Sequence, residues 1–339
     1  MPEVDMGLGL AEHLQNLVAR KFQQAHRKKA LLFSDTTLHV LRINQGPSFQ
    51  LRYCPALANK PKGNEKTGNQ GPRFDPFADP SSDLLITSIP SREPSHILVL
   101  NKFPVIHNHF IIATKDNKPQ TGLLEPADLG MTYECLRAWQ SHQGSGDSKR
   151  LFAFFNSGEH SGASQVHRHL QFLSMEDMSG SDSQDWNLLI DRMTVPAHPE
   201  LPLFHDPSCP LLHFSTPLEG RPSAETLFSK YRLLLKAALS AASHPHEQLN
   251  EQIDIERDGE TTFSYNLAVT TDRMAICPRS REAVAVPGVG LDSSVALNGT
   301  ILAGTLMVKH EQEWNTLREN PGLLETMLAS VGYSPAIWH

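Results

Sequence analysis

An alternation of residue types within residues 156–173, NSGEHSGASQVHRHLQFL, constrains the fold of this chain most strongly. His167, His169 and Gln171 occupy every second position, and the apolar Leu170 lies between the last two. Successive side chains of a β-strand point to opposite faces of the sheet, so this pattern predicts a strand with one polar face and one apolar face. The two imidazoles and the amide would then share one surface.

Small residues precede this strand and favour a role in binding. Gly158 and Gly162 allow the backbone to approach a ligand closely, and Ala163, Ser164 and Gln165 complete a composition typical of a phosphate cradle. The alternative is an ordinary half-exposed strand, since the chain contains 17 His and short motifs often match by chance. The combination of NSG, GASQ and HRHLQ favours the functional interpretation.

The length of 339 residues predicts two domains or one large unit with two lobes. Hydrophobic residues make up 39% and charged residues 20%, as in globular proteins. An acidic, Ser-rich segment follows Phe172, and a Pro/His-rich passage continues to Pro222 without clear periodicity. We place the boundary in this passage and divide the chain into residues 1–200 and 201–339.

Charge and cysteine spacing exclude several classes of protein. The net charge of −7 and the scattered Lys and Arg argue against nucleic-acid binding. No two cysteines form a CxxC pair, which argues against a zinc ribbon or a disulfide framework, and no protein metal site is evident. We also find neither a membrane-length apolar run nor a signal peptide, so we expect no membrane attachment and a reducing, intracellular environment.

Periodicity predicts the following elements along the chain. Apolar residues at helical spacing predict helices over residues 10–29, from Pro126 to near Gly144, from Ser223 through residue 238, and over 311–328. Alternating or β-branched runs predict strands over residues 31–43, 48–54, 96–105, 108–115, 151–156, 261–271 and 273–280. Residues 56–83 are rich in Gly, Pro, Lys and Asn and predict a long mobile loop.

Three polar residues outside the histidine strand are candidates for phosphate or ribose contacts. Asn101 and Lys102 interrupt an apolar strand end, where an unpaired polar group would be costly to bury. Lys60, in the long loop, could bring positive charge to a polyphosphate. Solvent exposure is the alternative for each of them.

Several segments in this order resemble the Ap4A phosphorylases, also called ATP adenylyltransferases, of the histidine triad superfamily that includes galactose-1-phosphate uridylyltransferase. The matching segments cover essentially the whole chain: NKPKG, FDPFADP, LNKFPV, HFIIATK, FFNSGEHSGASQVHRHLQFL, SYNLAVT, PRSRE and LNGT running to VK. The resemblance implies an α+β fold, with a histidine-triad-like antiparallel sheet and flanking helices in two lobes. Residues 1–200 would form the nucleotidyltransferase lobe, and residues 201–339 would complete the nucleotide site.

The resemblance also implies an activity: reversible cleavage of diadenosine tetraphosphate by phosphate, to ATP and ADP, through a covalent AMP-histidine. His169 matches the nucleophile, with His167 and Gln171 as its companions on the strand. The substrate-binding residues implied by the matching motifs are Lys60, Asn101, Lys102, Asn156, Gly162, Ala163, Ser164, Gln165, Asn298, Gly299, Thr300, Thr305 and Lys309. Thr305 stands where relatives carry a Met, so this position departs from the family pattern.

Chemistry suggests how these residues divide the work. A neutral imidazole attacks phosphorus directly, so His169 would form the covalent intermediate, and His167 would bind phosphate oxygens or orient the nucleophile. Gln171 replaces the third histidine of a triad, and an amide binds phosphate without acting as an acid or base. We expect a divalent cation (Mg²⁺ or Mn²⁺) to accompany the polyphosphate.

The resemblance further implies a monomer in the cytoplasm, with the nucleus as a second location left open. Two alternatives remain for the function. A hexose-1-phosphate nucleotidylyltransferase of the same superfamily would share His169 and Gln171, although this chain lacks a cysteine pair near the site. A nucleotide-binding module with unreactive histidines would bind nucleotide without forming a covalent adduct.

Overall fold

The computed structural model describes residues 7–44, 46–59, 74–140, 149–180, 183, 185–243, 254–290 and 293–335. Lys60 therefore lies outside the described residues, as does the part of the predicted long loop between residues 60 and 73.

The described chain alternates strands and helices in an α+β order. The helices are α1 (Leu14–Arg27), α2 (Pro126–Gln140), α3 (Met175–Met178), α4 (Leu189–Arg192), α5 (Ala224–Ser243), α6 (Glu311–Glu319) and α7 (Leu323–Val331), with 3-10 turns at Pro55–Asn59 and Gly299–Ala303. The first seven strands are β1 (Thr37–Arg42), β2 (Ser48–Tyr53), β3 (Leu85–Ile89), β4 (His96–Leu100), β5 (Phe110–Thr114), β6 (Leu151–Ser157) and β7 (His169–Ser174). The remaining strands are β8 (Val195–Pro196), β9 (Phe204–His205), β10 (Phe214–Pro217), β11 (Ser264–Val269), β12 (Arg273–Arg279), β13 (Ala283–Val284), β14 (Val295–Ala296) and β15 (Thr305–Val308).

A large antiparallel sheet organises the described residues. Its strands follow the order β3-β4-β5-β7-β6-β11-β12-β10-β9-β8, and every neighbouring pair is antiparallel. The two halves of the chain meet where β6 pairs with β11, and Asn156 lies opposite Asn266 at this junction. The predicted antiparallel sheet is confirmed, whereas the proposed boundary at residue 200 stays a prediction.

Helices α1, α2 and α5 cover one face of this sheet. Apolar side chains of alternate strand positions, among them Phe110, Phe172 and Leu267, form a continuous core with the buried sides of these helices. The Ser223 side chain accepts a hydrogen bond from the Thr226 backbone N–H (3.1 Å) and caps α5, as its sequence position predicts. The predicted α+β fold, with helices flanking an antiparallel sheet, is confirmed.

A small sheet and the C-terminal helices cover the opposite face. Strand β2 pairs with β1 in antiparallel and with β15 in parallel orientation, and their apolar residues pack in one core with Phe152 and Phe154 of β6. The predicted C-terminal helix is divided into α6 and α7. Pro321 lies between them and lacks the N–H that a continuous helix requires.

None of the helices in the described ranges is long and apolar enough to cross a membrane.

Candidate active site

Strand β7 places His169 and Gln171 on the face of the large sheet that is not covered by α1, α2 and α5. Leu170 and Phe172 point to the helical side and are buried there. Gln171 lies opposite Phe154 of β6, so the alternation along β6 places Asn156 on the same face as His169. Strand β7 begins at His169, and His167 precedes it in an isolated bridge with Pro119.

His169 is a buried, neutral imidazole with a defined tautomer. Its side chain is 2% exposed, and its Nδ1–H donates to the backbone carbonyl of His167 at 2.8 Å. Burial lowers the pKa of His169 from 6.5 to about 4, because desolvation penalises the imidazolium more than the hydrogen bond to His167 stabilises it. The Nε2 atom therefore carries the lone pair at neutral pH.

Gln120 joins the backbones of β6 and β7 beside His169. Its Oε1 accepts a hydrogen bond from the His169 N–H at 2.8 Å, while its Nε2 donates to the carbonyls of Asn156 (2.8 Å) and His169 (3.2 Å). These bonds continue the link between the two strands beyond the last regular pair, Phe154 and Gln171. A buried side chain thus sets the spacing between His169 and Asn156.

The ring of His167 is held by acceptors on both sides. Its Nδ1 lies 2.8 Å from Asp75 Oδ2, and its Nε2 lies 2.8 Å from the Thr114 carbonyl. Burial raises the pKa of Asp75, but hydrogen bonds from the Phe77 N–H and from His167 outweigh it and lower that pKa below its ordinary value. His167 therefore orients His169 through its backbone carbonyl, and its ring anchors the segment that contains Asp75.

Phe77 packs across both histidines. The centre of its ring lies 5.6 Å from that of His167 and 5.1 Å from that of His169. Phe77 is buried together with Ile97 and Ile111 in a small apolar cluster on this face. Phe77, in the last part of the predicted long loop, thus contributes to an apolar wall beside the candidate nucleophile.

A hydrogen-bonded series fixes the amide of Gln171. The Phe103 N–H donates to Asn101 Oδ1 at 3.0 Å, so Asn101 Nδ2 donates to His109 Nδ1 at 3.0 Å. The proton of this imidazole is then on Nε2, which donates to Gln171 Oε1 at 3.0 Å. Gln171 therefore presents its Nε2 hydrogens, rather than its oxygen, to a ligand.

The GASQ and LNGT segments meet beside Asn156. Gly162 has φ of 81°, and a Cβ atom there would lie 2.9 Å from both the Asn298 Cβ and the Leu297 carbonyl oxygen. Gly299 donates its backbone N–H to Asn156 Oδ1 at 2.9 Å. Glycine at both positions allows this close approach. Ala163 and Gln165 follow as half-buried loop residues, and Ser164 is exposed.

Thr305 contacts the LNGT segment through its backbone carbonyl. Asn298 Oδ1 accepts hydrogen bonds from the Thr300 N–H (3.0 Å) and hydroxyl (2.8 Å), and Thr300 Oγ1 lies 3.0 Å from the Thr305 carbonyl. The Thr305 side chain is fully buried and donates to Gln50 Oε1 at 3.2 Å. The structure therefore joins Thr305 to the segment through its backbone and directs its hydroxyl to Gln50.

The two predicted lysines that can be described lie outside this hydrogen-bonded cluster. Lys102 is exposed, and its ammonium group lies 5.6 Å from the centre of the Phe103 ring. Lys309 is half-buried after β15, and its backbone N–H lies 3.4 Å from Glu313 Oε2. Neither ammonium group forms a hydrogen bond with a described residue, so both remain available to a ligand.

Within the described ranges, no group of three or more His, Cys, Asp or Glu side chains is arranged to hold a metal ion. The donor set therefore does not fit a metal ion held by protein ligands alone.

The sequence pattern did not identify Asp75, His109, Gln120 or Asn266 as part of the site. One signal was available for His109, because it alternates with Ile111 and Ala113 in HFIIATK and so shares a face with Gln171, which pairs with Ile111. The contacts of Asp75 and Gln120 join residues far apart in sequence, and local periodicity contains no information about them.

Two family models match this chain in sequence. The model described as the Ap4A phosphorylase N-terminal domain matches residues 8–186, and the model described as the ATP adenylyltransferase C-terminal domain matches residues 207–334.

A curated relative and two solved structures are similar over nearly the whole chain. Diadenosine 5',5'''-P1,P4-tetraphosphate phosphorylase 2 from Saccharomyces cerevisiae is 28% identical over 329 residues, covering 96% of each chain. The crystal structure of yeast Ap4A phosphorylase Apa2 superposes with a TM-score of 0.76 at 26% identity, covering 96% of this chain and 99% of that one. Its complex with AMP gives a TM-score of 0.74 at 25% identity, with 96% and 98% covered.

Proposed function

This chain belongs to the Ap4A phosphorylase family and is a nucleotidyltransferase, and we propose that it converts diadenosine tetraphosphate and inorganic phosphate reversibly into ATP and ADP. The observation that carries the proposal is the state of His169. Burial keeps its imidazole neutral, with a pKa of about 4, and the bond from Nδ1 to His167 leaves the lone pair on Nε2. A neutral imidazole in this tautomer is a nucleophile for phosphorus.

The first step transfers AMP to the enzyme. The lone pair of His169 Nε2 attacks the α-phosphorus of one adenosine, a P–N bond forms, and the bond from that phosphorus to the bridging oxygen breaks. The bridging oxygen keeps the bonding electrons and leaves with ATP. Two displacements, each with a good leaving group, replace one difficult displacement.

The second step releases the product ADP. An oxygen of inorganic phosphate attacks the same phosphorus, the P–N bond breaks, and its electrons return to Nε2. The incoming phosphate becomes the β-phosphate of ADP. The reverse of these two steps forms diadenosine tetraphosphate and inorganic phosphate from ATP and ADP, so the reaction is reversible.

Donors around His169 would stabilise the transferring phosphoryl group. Gln171 presents its Nε2 hydrogens because His109 occupies its oxygen, and the loop at residues 162–165 supplies backbone N–H groups. Stabilisation of the charge on the equatorial oxygens provides most of the catalysis in phosphoryl transfer. The phosphates of the substrate that lie farther from His169 would be neutralised by Lys60, Lys102 and Lys309.

The amide at Gln171 suits a nucleotide leaving group. Gln171 cannot donate a proton to the departing oxygen at neutral pH. ATP departs without one, since its terminal phosphate oxygen is a stable anion, whereas an alcohol or amine would need an acid. This favours a polyphosphate substrate.

Three expectations about the enzyme's surroundings remain proposals. A divalent cation, Mg²⁺ or Mn²⁺, would neutralise the polyphosphate and be held through phosphate oxygens, since the described residues lack a ligand set of their own. The enzyme would act as a monomer in the cytoplasm, with the nucleus left open as a second location.

Labelled inorganic phosphate tests the proposed function directly. The purified protein is incubated with diadenosine tetraphosphate and ³³P-phosphate, and the nucleotides are separated. We expect the label in the β-phosphate of ADP, an equal amount of unlabelled ATP, and neither product from the His169→Ala variant. Products formed equally well without phosphate, or label in ATP, would contradict phosphorolysis.

A further inference from the structure

Two sequence motifs, SYNLAVT and PRSRE, meet at a buried arginine beside the candidate site. Arg279, from PRSRE, is 1% exposed. It donates to Asn266 Oδ1 at 2.6 Å and to the Leu297 carbonyl at 3.1 Å through NH1. Its other N–H groups donate to the carbonyls of Val331, Arg281 and Glu282. All five donors thus reach oxygen acceptors without formal charge.

Arg279 determines which way the Asn266 amide is oriented. A guanidinium only donates hydrogen bonds and stays protonated in proteins, so the atom of Asn266 that faces it must be the oxygen. Asn266 Nδ2 then donates to the Ser161 carbonyl at 2.8 Å and to Asn156 Oδ1 at 2.9 Å. The orientation of the Asn266 amide is therefore fixed, because Arg279 can only donate and the Ser161 carbonyl can only accept.

The same logic determines the orientation of Asn156. Its Oδ1 accepts from Asn266 Nδ2 and from the Gly299 N–H, each at 2.9 Å. Its Nδ2 is buried and has no hydrogen-bond partner among the described residues. An unpaired buried amide nitrogen is unfavourable, so an acceptor from a bound ligand would stabilise it.

We infer that Asn266 is a positioning residue: held by Arg279, it turns the amide of Asn156 so that Nδ2 is the atom offered to an oxygen of the bound nucleotide. Asn156 lies on the same sheet face as His169 and is spaced from it by Gln120. The inference rests on the proposed function, because it takes a nucleotide as the ligand. It gives SYNLAVT and PRSRE a role in nucleotide binding that requires no direct contact with the ligand.

A second consequence concerns the LNGT segment. Arg279 NH1 also binds the carbonyl of Leu297, two residues before Gly299, whose N–H binds Asn156. The same guanidinium therefore holds both the amide relay and the segment that approaches Gly162. A change at Asn266 affects the relay and the contact with the Ser161 carbonyl, whereas a change at Arg279 would remove five bonds together and test folding.

The Asn266→Asp variant tests the inference with little change in shape. One carboxylate oxygen keeps the hydrogen bond from Arg279. The other oxygen takes the place of Asn266 Nδ2, so an acceptor now faces Asn156 Oδ1 where a donor was. The Asn156 amide then turns to donate to the carboxylate and offers its oxygen to the phosphate of AMP, and the Gly299 N–H loses its acceptor. We expect affinity for AMP, measured by calorimetry, to fall at least about tenfold, as for a lost hydrogen bond to a charged group.

A double-mutant comparison separates positioning from general damage. In an Asn156→Ala background there is no amide to turn, so Asn266→Asp should change AMP affinity less than about twofold. A matched control is Gln15→Glu, which changes another buried amide, bonded to the Trp139 carbonyl under the opposite sheet face. It should lower the melting temperature and leave AMP affinity within about twofold.

Two results would overturn the inference: an equal loss of AMP affinity from Asn266→Asp in both backgrounds, or no loss in the otherwise unchanged protein. Failure of the proposed function would look different. The unchanged protein would then bind AMP but form no ATP and ADP from diadenosine tetraphosphate, and the AMP comparison would still decide the role of Asn266.

Discussion

The Nδ1–H of His169 donates to the backbone carbonyl of His167 across 2.8 Å. This bond between alternate residues of one segment directs the lone pair of His169 to Nε2 without the help of a separate base. Burial complements it, because it lowers the pKa of His169 to about 4 and keeps the ring neutral. In our account the nucleophile is activated by its surroundings, and its ring needs no carboxylate partner.

The pH dependence of the first half-reaction should reflect this low pKa. ATP release from diadenosine tetraphosphate is measured without inorganic phosphate, whose own titration would otherwise interfere. The active form is the neutral ring, which persists as pH falls until it nears the folded-state pKa of about 4. We expect a nearly constant rate between about pH 5.5 and 8, whereas a histidine with the ordinary pKa would be about 90% protonated at the acid end. A decline centred near 6.5 would contradict the assignment.

Asp75 should affect the reaction through His167. The Asp75→Asn variant weakens the contact with His167 Nδ1 and loosens the segment that carries Phe77. We expect the rate constant of ATP release to fall about tenfold, as for a lost hydrogen bond to a charged group. Asp79→Asn, an exposed position in the same segment, serves as the matched control and should leave the rate unchanged. Equal rates for both variants would show that Asp75 has no positioning role.

Gln171→His should shift the enzyme from phosphorolysis towards hydrolysis. An imidazole at this position can accept a proton from water, which the amide cannot. The adenylylated histidine would then react with water to give AMP in competition with phosphate, which gives ADP. We expect a higher ratio of AMP to ADP at a fixed phosphate concentration, measured by chromatography. The same ratio in both proteins would refute this role for the amide.

Gly299→Ala should disturb the contact between the LNGT segment and β6. A Cβ atom there would lie 2.7 Å from Phe154 Cδ2 and 3.0 Å from Asn156 Oδ1. Overpacking of this kind costs about 1–3 kcal/mol, so we expect a lower melting temperature and weaker AMP binding. Gly290→Ala is the control, because a Cβ atom there meets no atom of the described residues within 4 Å. Similar melting temperatures for the two variants would contradict the close approach.

Local sequence pattern predicted much of the architecture. Periodicity and helix capping can be recognised within a short stretch of sequence. They predicted the alternation at Leu170 and Phe172, the start of α2 at Pro126 and the cap of α5 at Ser223. Strand β3 was not predicted, and the C-terminal helix was predicted to be continuous although it is divided near Pro321. Both differences concern short elements whose stability depends on tertiary packing.

The alternating residues of the candidate site were predictable from sequence, but the residues that support them were not. His169 and Gln171 stand out because they alternate with His167 within five residues of sequence. By contrast, Asp75 reaches His167 across 92 positions, and Asn266 reaches Asn156 across 110. Such contacts depend on the order of strands in the sheet, and that order cannot be derived from the spacing of residues within one segment.

The intact mass of the protein after brief incubation with diadenosine tetraphosphate in the absence of phosphate tests directly whether His169 is the nucleophile. We predict the addition of one adenylyl group in the unchanged protein, its loss when phosphate is then added, and its absence in His169→Ala. An adduct of the same mass that persists in His169→Ala would contradict the assignment of His169 as the nucleophile.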